Sequence, residues 1–455
     1  MPDFLTIFTI TVFLLTVVFV LWKPWNVHAA VPTSIGAALL LLTQAVSVSD
    51  VFEIFRTVSS ASITIISTLV MTIVLESIGF FKWAAINLVN RSRGSGLRLF
   101  VNILFLCYLM TLFFNNDGSV LITTPIIIRT LLILNLKPHE KIPYLLSGAL
   151  IATATSAPIA ISNIANLIAL EIVGLDLNSY VIMMFLPSMA GIAVIAYLLY
   201  IYFQKQIPKR IMRMELNLNH FEQHQPFPHP LSGDQFDTAK VDWGMFRICL
   251  IVIVVTRASY FILPSLAGIS MEWIAVIGAL LLIFIRWYRK GIGMVDVILK
   301  TPWHIFVFAF GMYILVYGLQ NIGFTALLVE HLGPLITESH FNAIFVTGGL
   351  LTLLSNLCNN LPSIMIGTLT LTEMGLHPET LQVAYLAGIL GSDIGSLLTP
   401  IGTLATMLWM YIIKENAIPI SWRSYMKATF FVIPIGLIVG LISLYLWTSL
   451  IVFQP

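Results

Sequence analysis

The stretch Leu99–Leu134, LFVNILFLCYLMTLFFNNDGSVLITTPIIIRTLLIL, decides the fold. Two apolar arms flank a polar centre, Asn115-Asn116-Asp117-Gly118, and neither arm carries an acidic residue. Polar turn residues inside an apolar segment predict two helical arms meeting at a break. The surroundings set the solvent. Of 455 residues, 58% are apolar and only 10% charged, against roughly 25% charged in an ordinary soluble domain. Runs such as Phe4–Trp22, Ala61–Leu75 and Trp303–Leu319 suit a hydrocarbon layer of about 30 Å. The chain reads as an all-α, polytopic integral membrane protein. A soluble enzyme, a nucleic-acid binder and a secreted disulfide scaffold are excluded. A net charge of +2 leaves no strongly basic face for nucleic acid. The first run lacks a preceding basic residue and is expected to be a retained span.

Sequence motifs repeat along the chain. Glu76-Ser-Ile-Gly-Phe80 returns as Gln320-Asn-Ile-Gly-Phe324, and Asn115-Asn116 returns as Asn359-Asn360 at the same offset. Ile35-Gly-Ala returns as Ile277-Gly-Ala, and a break around Pro158–Asn166 returns near Pro400–Thr406. Two duplicated halves are expected, 1–204 and 244–455, joined by a cytoplasmic linker at 205–243 that holds Pro226, Pro228, Pro230 and Gly233.

Charge tests the orientation of those halves. Loop 91–98 carries Arg91, Arg93 and Arg98, whereas its counterpart near 335–342 carries no Lys or Arg. Conversely, loop 44–50 has none, but its counterpart has Arg286, Arg289 and Lys290. Because basic loops stay cytoplasmic, equivalent loops face opposite sides, which is the pattern of inverted-topology repeats. Closing the count requires about ten transmembrane helices plus two re-entrant hairpins, 99–134 and 341–372. Each hairpin is followed by an interrupted helix, 143–173 and 382–413. Both termini then lie outside the cytoplasmic (inner) membrane.

Backbone that leaves the helix inside a bilayer survives only where it lines a cavity or packs in protein. The breaks should therefore converge on a substrate site near the midplane. Polar residues cluster at them: Asn115, Asn116 and Ser119; Ser162, Asn163 and Asn166; Asn359, Asn360 and Ser363; Thr399, Thr403 and Thr406. These are the candidate substrate-binding residues. Asp117 and Asp393 are the acids expected near the midplane, where charge is costly unless it meets a wet cavity or a proton. They are the candidate proton-coupling residues. The opposing reading for each is a helix cap, and for the hydroxyls plain interhelical contact.

Other groups point less clearly. His220, His224 and His229 fall in the linker, where no Cys or paired carboxylate completes a metal site. Cys107, Cys249 and Cys358 could serve a soft metalloid only if all three converge; Cys249 belongs to a peripheral span. His304 reads as an interfacial residue beside Trp303. No P-loop is present, so a secondary transporter is expected, not an enzyme, with no cofactor and no bound metal.

Several motifs extend over both halves: Gly79-Phe-Phe-Lys-Trp-Ala-Ala85, Phe113–Ile126, Ser162-Asn-Ile-Ala-Asn-Leu167, Pro302-Trp-His-Ile305, Gly311–Gly323, Asn359-Asn-Leu-Pro362 and Gly391–Thr406. Together they resemble the ArsB-type arsenite/antimonite permeases, within the ion-transporter superfamily of inverted-repeat carriers. The resemblance implies efflux of trivalent arsenic or antimony across a prokaryotic inner membrane, driven by inward proton movement. Some members of that family also act as the membrane subunit of a cytoplasmic arsenical ATPase. Arsenous acid is neutral near pH 7 and has three hydroxyls, which Asn, Ser and Thr can both donate to and accept from. Asp117 and Asp393 are then left for the proton. Alternatives on the same scaffold are a sodium/proton antiporter, a dicarboxylate carrier, or a docking platform for an ATPase. A dicarboxylate carrier calls for an arginine, and none falls in the predicted midplane segments.

Overall fold

A computed structural model describes residues 4–22, 27–213, 243–291, 295–301 and 303–453. The linker features Pro226, Pro228, Pro230, Gly233, His220, His224 and His229 lie outside the described residues. Among those described, the chain is helical throughout. The helices are α1 (Phe4–Trp22), α2 (Ala30–Leu42), α3 (Val48–Ser77), α4 (Phe80–Ser92), α5 (Gly96–Phe113), α6 (Asn116–Ile133), α7 (Pro138–Ala154), α8 (Ile164–Val173), α9 (Leu177–Phe203) and α10 (Trp243–Ala267). There follow α11 (Met271–Lys290), α12 (Val295–Lys300), α13 (His304–Asn321), α14 (Phe324–Glu338), α15 (His340–Cys358), α16 (Asn360–Glu373), α17 (Pro378–Asp393), α18 (Leu404–Glu415) and α19 (Trp422–Trp447). Eleven helices among the described residues are long and apolar enough to cross a membrane. Leu42, Leu266 and Tyr288, each about 80% exposed at 80%, 79% and 79%, belong to an apolar exterior that suits lipid.

Local chemistry accounts for the punctuation. Ser47 and Asp50 form a reciprocal capping box that starts α3. Gly79 and Gly323 precede α4 and α14 with φ of 83° and 82°. Those are left-handed conformations that glycine adopts without a Cβ penalty. Residues 48–203 and 304–447 present one order of elements: a long helix, a left-handed glycine, and a shorter helix. Two helices meeting at an Asn cap come next, then a Pro-started helix, a 3-10 turn, a short capped helix and a long closing helix.

Small residues set the closest packing. A Cβ on Gly191 of α9 would lie 2.8 Å from the Gly436 carbonyl of α19, so the two closing helices touch through backbone. A Cβ on Gly391 of α17 would overlap the Gly348 carbonyl of α15. Without a hydrophobic driving force between helices in lipid, such close backbone approach supplies the dispersion contact that holds them. α11 packs along α3, and α2 along α13.

Candidate functional site

Four short-range caps create the site. Asn115 Oδ1 accepts from Gly118 N at 2.7 Å to start α6. Asn163 Oδ1 accepts from Ala165 N at 3.0 Å to start α8. Asn359 Oδ1 accepts from Leu361 N at 3.5 Å to start α16, its φ of 81° placing it in the left-handed region. Thr403 Oγ1 accepts from Thr406 N at 3.0 Å to start α18. The first turns of these four helices line one cavity. Asn116 and Asp117 enter it from α6, Asn163 to Ala165 from α8, Asn360 and Leu361 from α16, and Leu404 from α18. Ile305 and Phe308 of α13 close its wall. Each helix N-terminus carries about half a positive elementary charge. Four of them around one space favour oxygen-rich or anionic groups there. The open space is about 10 Å³, roughly one water.

Asp117 lines this cavity, and its carboxylate has no hydrogen-bonding partner among the described residues. Asp393 is the reverse case. It ends α17 with no exposure, and the other interrupted helix supplies its partners. Ser156 Oγ lies 2.7 Å from Oδ2, Asn166 Nδ2 donates to Oδ2 at 2.6 Å, and Asn163 Nδ2 donates to Oδ1 at 2.8 Å. Asn163 thus belongs to both layers, with its amide oxygen capping α8 and its amide nitrogen tying the cavity wall to Asp393. Asn166 Oδ1 and Ser162 Oγ beside it are buried without partners. Tyr385 of α17 also donates to the Asn166 carbonyl at 3.2 Å.

Among the sequence-derived candidates, Asn116, Asp117, Asn163 and Asn360 meet at the cavity. The others occupy supporting positions. Asn115, Asn359 and Thr403 cap helices. Thr406 Oγ1 sits 2.8 Å from Thr403 Oγ1. Ser363 donates to the Asn359 carbonyl at 2.7 Å, and Ser119 to the Cys107 carbonyl at 3.4 Å. Thr399 donates through both its backbone N and its hydroxyl to Asn356 Oδ1, each at 2.8 Å. The three cysteines sit on α5, α10 and α15, and no group of three His, Cys, Asp or Glu able to hold a metal occurs among the described residues. His304, read as an interfacial residue, has its ring 4.7 Å from that of His28 and tilted 33° to it.

One residue escaped the sequence reading. Arg257 of α10 donates from Nε to the Phe113 carbonyl at 2.6 Å and from Nη2 to the Phe114 carbonyl at 2.7 Å. An arginine therefore does reach the first break, from a helix that sequence alone made peripheral. Its signal was available: Arg257 lies about halfway along an apolar span, ten residues beyond Arg247 near the start of that helix, and a cation at such depth belongs by default to a functional or packed interior.

Known proteins match this chain nearly end to end. The sequence profile of a family described as "Arsenical pump membrane protein" matches residues 8–448. A Bacillus subtilis (strain 168) protein that carries that name provisionally is 46% identical over 440 residues, covering 96% of this chain and 98% of its own. An Escherichia coli arsenical pump membrane protein is 31% identical over 416 residues, 91% of this chain and 93% of its own. A namesake from Yersinia enterocolitica is 30% identical over 417 residues, 92% and 93% of the two chains.

Proposed function

This chain belongs to the arsenical pump membrane protein family, and we propose that it exports trivalent arsenic and antimony from the cytoplasm in exchange for protons. The cargo is arsenous or antimonous acid, held where Asn116, Asn163 and Asn360 meet. Primary amides both donate and accept, so they can serve each hydroxyl of a neutral cargo, and the four helix N-termini favour its oxygens. Asp117 faces the cargo. Asp393 lies one layer behind, coupled to the cavity through Asn163.

Ser156 carries the proton assignment. Its Oγ is 2.7 Å from Asp393 Oδ2 and also 2.7 Å from the Thr153 carbonyl. When Asp393 is ionised, the hydroxyl donates to the carboxylate. When Asp393 holds a proton, its O–H donates to Ser156 Oγ, whose own hydrogen swings to the Thr153 carbonyl. Both charge states keep a full set of partners at the cost of one hydroxyl rotation, so loading and unloading a proton strands no buried polar group.

The equal order of elements supports duplicated halves, and the opposite basic bias of their equivalent loops supports inversion. On this reading α5–α6 and α15–α16 are re-entrant hairpins, and α7–α8 and α17–α18 are the interrupted spans. Alternating access then moves the hairpin-bearing bundle against helices such as α3 and α13. The test is arsenite uptake into everted membrane vesicles under an imposed inside-acid gradient without ATP. Uptake that appears with the gradient and collapses with a protonophore supports the reading. Well-inserted protein that takes up arsenite only with ATP and a cytoplasmic fraction points instead to an obligate ATPase partner.

A further inference from the structure

We propose that Arg257 is the positioning residue that holds the first break in register, so that Asn116 and Asp117 face the cavity. The proposal rests on the reading of that cavity as the transport site. A helix leaves its last carbonyls without partners. At the end of α5 the carbonyls of Phe113 and Phe114 point to Arg257, whose Nε and Nη2 take one each at 2.6 and 2.7 Å. The planar guanidinium fork fits two adjacent carbonyls in a way that an ammonium cannot. Its charge also complements the negative end of α5. The ring of Tyr260, 5.5 Å from the guanidinium carbon, backs it on the same helix.

The flanking sequence argues against an incidental contact. Val254 and Val255 beside it are 46% and 57% exposed on the apolar exterior. A cation at such a depth is costly and persists where it meets protein groups. Both breaks are tied to a neighbouring interrupted helix, the first through Thr111, which donates to the Ala152 carbonyl of α7 at 2.7 Å. In the second half, Asn356 donates to the Gly395 carbonyl at 2.9 Å and Asn359 to the Ile401 carbonyl at 3.2 Å. That break is tied to its neighbouring interrupted helix. The first break is tied in addition across the bundle to α10 through Arg257, a helix that packs chiefly on α11. Only one residue, Asn115, separates Phe114 from Asn116, so any slip of the held carbonyls moves the cargo-facing turn.

The experiment uses Arg257→Gln and Arg257→Lys in the full-length protein, with two readouts. In everted vesicles, a displaced turn raises the KM for arsenite about tenfold or more in R257Q, as expected for losing hydrogen bonds from a charged group. R257K, which keeps charge but not the fork, falls between. A purely structural role would lower only the amount of working protein, hence Vmax. The second readout needs no cargo: labelling of native thiols by a small maleimide, resolved by mass spectrometry. Cys107 on α5 is fully buried, as is Cys249 on α10. Selective acceleration at Cys107 in R257Q, with Cys249 still protected, is expected. Unchanged KM together with unchanged Cys107 labelling, or equal exposure of both thiols, overturns the proposal. If wild-type vesicles take up no arsenite, the transport reading fails on its own, and Cys107 labelling alone still decides the role of Arg257.

Discussion

Asp393→Asn separates proton coupling from cargo passage. The substitution hardly changes volume but removes a group that can ionise. Its structural cost can be worked from the three donors. Oδ1 meets one, Asn163 at 2.8 Å; Oδ2 meets two, Ser156 at 2.7 Å and Asn166 at 2.6 Å. An asparagine therefore keeps its oxygen on the two-donor side and turns its NH2 toward Asn163. Asn163 cannot simply flip in response, because its Oδ1 caps α8 through Ala165 N. Leaving one buried donor unpaired costs about 1–3 kcal/mol, and giving up the cap instead costs about 1 kcal/mol. The break loosens by that amount, while the rest of α17 and α8 stays packed. The assay compares two modes in the same vesicles: accumulation of labelled arsenite under an inside-acid gradient, and exchange of labelled for unlabelled arsenite without one. D393N should lose protonophore-sensitive accumulation and keep exchange within about tenfold of wild type, the factor that about 1.4 kcal/mol supplies. Wild-type accumulation in D393N would refute the assignment of Asp393 to the proton.

Further outcomes follow from the same geometry. Asp117→Asn should also abolish gradient-driven uptake. It should change thermal stability in detergent by less than about 1 kcal/mol, because the Asp117 carboxylate has no hydrogen bond to lose among the described residues. Asn360→Ala should raise the KM for arsenite about tenfold, since Asn360 lines the cavity. Ser363→Ala, whose hydroxyl is spent on the Asn359 carbonyl at 2.7 Å, should leave KM within about twofold; equal effects in the two variants would remove the cavity from the cargo path. Gly402→Ala places a methyl group onto the Ser396 carbonyl and 3.2 Å from Asn356 Oδ1. Overpacking there should cost about 1–3 kcal/mol, read as a lower midpoint of thermal unfolding, and an unchanged midpoint would mean that the turn yields freely.

The sequence by itself determined the solvent and the punctuation. An apolar fraction of 58% with 10% charge leaves no soluble alternative. The Asn115 and Asn359 pairs sit where helices stop and restart, because a short amide side chain can close a turn that apolar residues cannot. Asp117 and Asp393 were legible as exceptional because an acid amid apolar residues has few uses. What the sequence could not assign was the work of each polar side chain. Asn115 and Asn116 are adjacent and chemically identical, yet one caps a helix and the other faces the cavity. Asp117 and Asp393 look alike in sequence, yet one lines the small cavity and the other accepts three hydrogen bonds. Those differences depend on which break lies against which, and segments from opposite halves of the chain meet there, as Ser156, Asn163 and Asn166 meet Asp393. Arg257 makes the same point most sharply. Its helix looks peripheral by composition, and only the packing of α10 against the end of α5 brings a cation to two carbonyls whose partners no local pattern could name.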